Sequence, residues 1–356
     1  MQIYSALAVL SQGTTPAVQT ALCPATTASP LGHEDVGIAT QVGSSCYRAI
    51  ADDALKDEDN AGWVLELEPA IQAVWLQRIR WIRLVDRLAE QGLLQADAAI
   101  FSTLLAGWHQ LILQGTSPTD HPQQSFLEEL RQAWFGQHGQ PFDGAAIAAW
   151  NQYLDAVGRY HQPQLVLTDL PEYETFLAAI GGGFFQVFPF GAAHQQSAIA
   201  HWGQLDQVYN HLRDLHEDMQ QGLCYFPTQV LAQFGLTRGA VLSPAGHKTA
   251  GYTRLLRFWL EHYLPRLRRK ARQITRYQDL HPSWAMFLEW SIARYRRIET
   301  TLRDCQFDAE EFAAVYWLRV QADLPHLRSH IRQFSPQTGP TPPVALHPLQ
   351  SQQCSY

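Results

Sequence analysis

Apolar residues recur every three or four positions along most of the chain, the period of a helix with one buried face. The pattern is clear in EPAIQAVWLQRIRWIRLVDRLAEQG (68–92), DAAIFSTLLAGWHQLILQ (97–114), FLEELRQAWF (126–135) and GAAIAAWNQYLDAVGRY (144–160). It continues in AIAHWGQLDQVYNHLRDLHEDMQ (198–220), YTRLLRFWLEHYLPRLRRKARQ (252–273) and WAMFLEWSIARYRRIETTLRD (284–304). Strict strand-type alternation is scarce, and no period of about 20–50 residues marks a solenoid. The pattern predicts an all-α fold, a single helical-bundle domain over residues 41–333. Residues 1–40, rich in Ala, Thr, Pro and Gly, carry no period and are expected to be a poorly ordered lead-in. Residues 334–356, rich in Pro, Gln and Ser, are expected to be a disordered tail.

Two of these helices place carboxylates where an inward face continues. Ile79, Ile82, Asp86 and Glu90 share one side of the first. Gln207, Asn210, Asp214 and Asp218 repeat that spacing on the second, beside an apolar stripe of Val208, Leu212, Leu215 and Met219. Like charges four residues apart cost an isolated helix roughly 0.2–0.5 kcal/mol, and carboxylates turned into a bundle need a partner or a cation. Hard cations such as Mg²⁺ favour carboxylate oxygens and often bridge them to substrate phosphates. Two facing acidic pairs are therefore expected to hold Mg²⁺ around a diphosphate. Isolated Asp-x-x-x-Asp pairs are common on solvated helix faces, and Arg213–Glu217 reads equally well as a surface pair.

Composition narrows the function classes. The 356 residues are 46% hydrophobic, with 11 Trp, 13 Tyr and 16 Phe, enough to pack a core and wall a large cavity. A net charge of −7 and a pI near 6.1 argue against a nucleic-acid partner. Five scattered cysteines without a CxxC pair suggest neither zinc nor a disulfide framework, which fits a cytoplasmic protein. The N-terminus lacks a signal-peptide pattern, and no window of roughly 18 residues is apolar enough to span a membrane. The basic stretch 254–303 reads as a solvated face, or as a peripheral membrane contact with Trp259 and Tyr263 near the headgroups. His211 and His216 form no His-x-x-x-His pair and are expected to be solvated or capping. GGG (181–183) reads as a helix kink or close-packing point, not a phosphate loop.

NHLRDLHED followed by GLCYFP resembles the second aspartate-rich motif of the squalene/phytoene synthase family, with Asn210, Arg213, Asp214, Glu217, Asp218, Gly222, Tyr225 and Pro227 in place. Gln207 also stands where the family usually has Gln. RLVDRLAE resembles the first motif through Arg83, Asp86 and Glu90. YETFLAAIGGGFF resembles the family's Tyr-Glu-Thr-Phe segment, ARYRRIETTLRDCQFDAEE its last long helix, and SSCYRAI, more weakly, its Ser-Phe-Tyr start. The resemblance spans roughly residues 44–312. It implies an isoprenoid-synthase bundle around a deep central cavity. It also implies head-to-head condensation of two allylic prenyl diphosphates, geranylgeranyl or farnesyl, in the manner of a phytoene synthase of carotenoid biosynthesis. Under that resemblance Asp86, Glu90, Asn210, Asp214 and Asp218 are Mg²⁺ ligands. Arg83 and Arg213 bind diphosphate, Gln207 and Tyr225 line the substrate site, and Phe184 and Phe185 help wall off water.

The chain departs from the family pattern at Glu90 (usually Asp), Arg87 (commonly a second Asp), Leu223 (typically Arg) and Phe176 (near the family's catalytic Tyr). These departures keep open a non-catalytic or scaffold paralogue that binds prenyl diphosphate. A divergent squalene-type or terpene synthase on the same fold is a further alternative.

Overall fold

The computed structural model describes residues 54–94, 98–136, 143–162 and 164–334. The lead-in 1–40, SSCYRAI and the chain after Phe334 lie outside these residues. No strand occurs among those described. The order is α1 (Ala54–Ala61), a 3₁₀ turn (Gly62–Glu66), α2 (Pro69–Leu94), α3 (Ala98–Gln114), α4 (Gln124–Trp134) and α5 (Gly144–Tyr160). Then come α6 (Leu170–Leu177), a π turn (Ala178–Gly182), α7 (Gly183–Val187), α8 (Gln196–Arg213) and α9 (Leu215–Gln220). Short helices α10 (Thr228–Gln233), α11 (Arg238–Val241) and α12 (Pro244–His247) lead to α13 (Ala250–Phe258). A second π turn (Trp259–Tyr263), α14 (Leu264–Ala271), α15 (Pro282–Asp304) and α16 (Ala309–Arg332) complete the bundle.

Helix starts follow local chemistry. Asp143 accepts from the Ala146 amide, Asp169 from Glu172 with Pro171 in the first turn, and Asp308 from Glu310 and Glu311. Such caps satisfy donors that have no intrahelical partner. The aromatic residues pack the core. Trp81, Trp134 and Trp150 meet edge-on or tilted, joining α2, α4 and α5. Trp75, Phe188, Trp284 and Phe287 form a second cluster that joins α2 to α15. Trp259 and Tyr263, which the membrane-contact alternative put near the headgroups, are buried instead, within the π turn, and Tyr173 packs on both. Cys224 and Cys305 are buried free thiols.

The GGG kink is realised as the π turn before α7, and it lets two backbones touch. A Cβ on Gly203 of α8 would stand 2.1 Å from the Gly181 carbonyl oxygen, and one on Gly181 would stand 2.5 Å from the Gly203 oxygen. Only glycine permits this approach.

The least expected element is α1, ALKDEDNA, whose buried face is polar. Asp59 is fully buried, pairs with Arg297, and accepts from the Tyr316 hydroxyl at 2.6 Å. Asp57 accepts from Arg83 at 3.1 Å. The Asn60 side-chain oxygen accepts from Arg213 at 2.6 Å and from Arg294. Arg294 and the Tyr295 hydroxyl both donate to Asp206. One short helix thus ties α2, α8, α15 and α16 together through buried charge.

Gly203→Ala is expected to lower stability by about 3 kcal/mol, because its methyl would meet unyielding backbone. Gly183→Ala, whose nearest neighbours stand at ordinary contact, should hold or slightly raise it. Urea unfolding midpoints of the two variants check this. Equal effects would contradict the close approach.

Candidate active site

Asp86 and Glu90 extend the inward face of α2 past Ile79 and Ile82. Asp86 is buried, and its carboxylate accepts from the Tyr153 hydroxyl of α5 at 2.7 Å. Burial pushes the Asp86 carboxyl up to about 7; the Tyr153 bond opposes this, and the nearby Glu90 charge adds to it. Burial likewise raises Glu90, which is half-buried. Arg83, one turn earlier, points to Asp57 of α1.

The second motif departs from the expected continuous helix. Asp214 has φ −92° and ψ 9°, which ends α8 and starts α9. Backbone bonds from Asp214 to Asn210 and from Asp218 to Asp214 persist at 2.9 and 2.8 Å, so the four-residue spacing still holds across the break. Gln207, Asn210, Arg213, Asp214 and Asp218 are all buried. Their compensation is uneven. Burial alone would raise Asp214, but Arg213 at 2.8 Å and Lys56 at 3.1 Å override it and hold its carboxyl below the usual carboxylate range. Asp218 forms no ion pair among the described residues. Burial raises its carboxyl, and the neighbouring Asp214 and Glu217 charges add to the rise.

Arg213 is buried and does not form the surface pair with Glu217 that the spacing also allowed. Its guanidinium donates to both Asp214 oxygens at 2.8 Å and to Asn60, while Glu217 pairs with Lys56 at 2.6 Å. Arg213 thus orients Asp214, which leaves it poorly placed for direct diphosphate contact. The residues that the sequence reading missed are Lys56, Asn60, Tyr153 and Asp206. Asp206 lies one turn before Asn210 and accepts from its side-chain amide at 3.1 Å, so the same four-residue spacing could have found it. Lys56 belongs to no motif and carries no comparable signal.

The two motifs meet around Tyr225. Its ring stacks on His211 at 4.3 Å and on Phe176 at 5.7 Å. Burial raises its phenol well above the ordinary value, and charges on Asp218, Glu90 and Asp214 raise it further. Lys56 acts electrostatically on the same three carboxylates. His211 is neither solvated nor a cap. It lies buried in the stack, pulled down to about 3 by burial. The Gln207 amide nitrogen can only donate, so Nε2 of the neutral ring accepts at 3.0 Å and Nδ1 carries the proton toward the Tyr173 hydroxyl at 3.0 Å. Phe176 offers this stack an apolar face. Leu223 lines a water-sized void of about 20 Å³ beside Asp218, Tyr225 and His247.

Among the described residues, no three His, Cys, Asp or Glu side chains stand close enough to enclose one metal ion. The donor set still suits Mg²⁺, which takes few protein carboxylates and completes its shell with water and phosphate. The side-chain oxygens of Asn210 and Gln207 are buried without a hydrogen-bond partner, and three carboxyls are raised by burial. A cation among them would satisfy the oxygens and restore the ionised carboxylates.

A model of the squalene/phytoene synthase family matches residues 66–321, which include both acidic motifs. No curated protein matches the sequence significantly. Among solved structures, a dehydrosqualene synthase in complex with ligand superposes with a TM-score of 0.58, covering 83% of this chain and 98% of that one at 13% identity. Squalene synthase HpnC from Alicyclobacillus acidocaldarius superposes with a TM-score of 0.54, covering 76% of this chain and 95% of that one at 16% identity. At such identities the likeness is one of fold.

The raised carboxyls have a consequence in the metal-free protein. A carboxyl whose folded-state pKa exceeds its unfolded value contributes stability that is complete below the unfolded pKa and lost as pH rises through the folded one, near 7 for Asp86. Asp86→Asn should therefore stabilise the protein relative to the parent at about pH 8 and much less at about pH 5. Buried neutral His211 and His161 act in the opposite sense, so the readout is the difference between variant and parent urea midpoints. A difference that does not change with pH would contradict the assignment.

Proposed function

The chain belongs to the squalene/phytoene synthase family, and on that premise we propose that it condenses two allylic prenyl diphosphates head to head in a Mg²⁺-dependent, phytoene-synthase-type reaction. The observation that carries this reading is the convergence of Glu90 from the first motif and of Asp214 and Asp218 from the second on Tyr225 and Lys56, with Asp86 beside Glu90 on α2. Two acidic motifs on separate helices would otherwise be a net cost to the fold.

Asp86, Glu90, Asn210, Asp214 and Asp218 would hold Mg²⁺, which supplies positive charge opposite a departing diphosphate. The chain's own groups do the rest. Tyr153 fixes the Asp86 carboxylate. Arg213 fixes Asp214, so that its second-motif partner Asp218 is the more available ligand. Lys56 and Arg83 bring cationic charge beside the carboxylates of the two motifs. Tyr225, kept protonated by its surroundings, can donate to a diphosphate oxygen. Phe184 and Phe185, buried on α7, keep water from an allylic cation. Phe176 occupies the position near the family's tyrosine and brings no hydroxyl, which favours the second reading, a prenyl-diphosphate binder without turnover. No described helix is long and apolar enough to cross a membrane. Exposed Arg269, Lys270, Arg272 and Arg276 are the cations a peripheral membrane contact would use.

The test is incubation with Mg²⁺ and either geranylgeranyl or farnesyl diphosphate, followed by lipid extraction and mass spectrometry. Pyrophosphate release with a product of two joined chains is expected, and Asp218→Asn should reduce it by about 100-fold or more while circular dichroism stays unchanged. Saturable binding without pyrophosphate release, or a product from a single chain, would overturn the condensation reading.

A further inference from the structure

A cavity of about 450 Å³ opens between α2, α5 and the start of α8, within the roughly 300–1,000 Å³ typical of small-molecule sites. It is walled by Arg78 of α2, the first turns of α5 and α8, and the segment that follows α7. Arg78 stands two turns before Asp86, and Gln196 at the start of α8 is separated from Asp214 by roughly 27 Å of helix. No residue of either acidic motif lines it.

Arg78 is the reason to expect an occupant. Its guanidinium lies over the rings of Trp81 and Trp134, at 4.2 and 4.8 Å from their centroids. Its Nη1 is sealed from solvent, so a ligand in the cavity meets the remaining edge of the half-buried guanidinium. Burial pulls the group down only to about 10, with Asp143 acting against the fall, so it stays charged at neutral pH. Asp143 is already engaged as the cap of α5, accepting from the Ala146 amide at 3.0 Å. A half-buried cation that edges a cavity, with its neighbouring carboxylate already committed, offers its open edge to an anion.

We propose that this cavity binds a carboxylate carried on a short apolar chain, the carboxylate on Arg78 and the chain against the alanine face of α5 and Phe188. The planar guanidinium matches a carboxylate through two parallel bonds. The N-termini of α5 and α8 add partial positive charge at the same wall. Gln152, Gln186 and Gln196 supply neutral amides. Asp143 faces the same space and disfavours a dianion, which selects a carboxylate over a phosphate monoester. Small side chains at Ala146 and Ala149 leave room for the chain.

Isothermal titration of the full-length protein with hexanoate, hexyl phosphate and hexanol tests this. Saturable hexanoate binding is expected, at least tenfold weaker in Arg78→Gln, with hexanol binding no better than hexanoate binds that variant. Ala146→Phe, which fills the cavity without touching the cation, should also abolish hexanoate binding. Asp143→Asn should bring hexyl phosphate toward hexanoate. A prenyl thiodiphosphate should leave hexanoate bound, which separates this site from the acidic one. Absence of hexanoate binding, equal binding in the parent and Arg78→Gln, or displacement by the thiodiphosphate would overturn the proposal.

Discussion

Buried charge on α1 is the constraint from which the rest of the architecture follows. Asp57, Asp59 and Asn60 engage Arg83, Arg297, Arg213 and Arg294, drawn from three long helices. Removing one partner of such a buried pair typically costs about 3–5 kcal/mol, because the other charge is left in the core. The pairs also set register, since each guanidinium meets its acceptor in only one placement of its helix. The four arginines of this clamp all lie within residues 66–321, the span matched by the family model, and α1 lies just before it.

The clamp also decides which carboxylates remain for chemistry. Four guanidinium groups are held by α1, Asp206 and Asp214; of these Arg83 still offsets part of the burial at Asp86, yet burial wins there and at Asp218. Asp214 is the exception, with Arg213 on one side and Lys56 on the other. The result is an asymmetric second motif: one aspartate fixed and ionised, the other raised by burial. Tyr225 and Lys56 stand where the two motifs converge, and both sense carboxylates from each. Asp206, one turn upstream, is held by Arg294 and Tyr295 and anchors the base of this arrangement through Asn210.

Much of this was legible in the sequence, for physical reasons. α2, α5 and α15 carry long apolar stripes, and burial of a stripe leaves a period that local context cannot mask. The glycine run announced a kink, and the π turn with the Gly181–Gly203 contact supplies its reason. α1 escaped notice because its buried face is charged, the reverse of the usual pattern. α16 was obscured by Pro325, although Phe312, Tyr316, Val320 and Leu324 keep a four-residue spacing. The helical period alone leaves His211, Trp259 and Tyr263 free to face outward, because only their tertiary neighbours show where they point. The acidic spacing was visible, but the break at Asp214 and the arrival of Lys56 depend on elements far away in the chain.

The central claim is that burial raises the Asp86 and Asp218 carboxyls in the metal-free core, so that they stay protonated above the ordinary carboxylate range. Difference infrared spectroscopy of the metal-free protein across pH reads this directly. The account predicts a protonated-carboxyl band that disappears with a midpoint near about 7, as for Asp86, and that is absent from the Asp86→Asn, Asp218→Asn double variant. A spectrum in which every carboxyl has ionised by about pH 5, the range of unperturbed Asp and Glu, would contradict it.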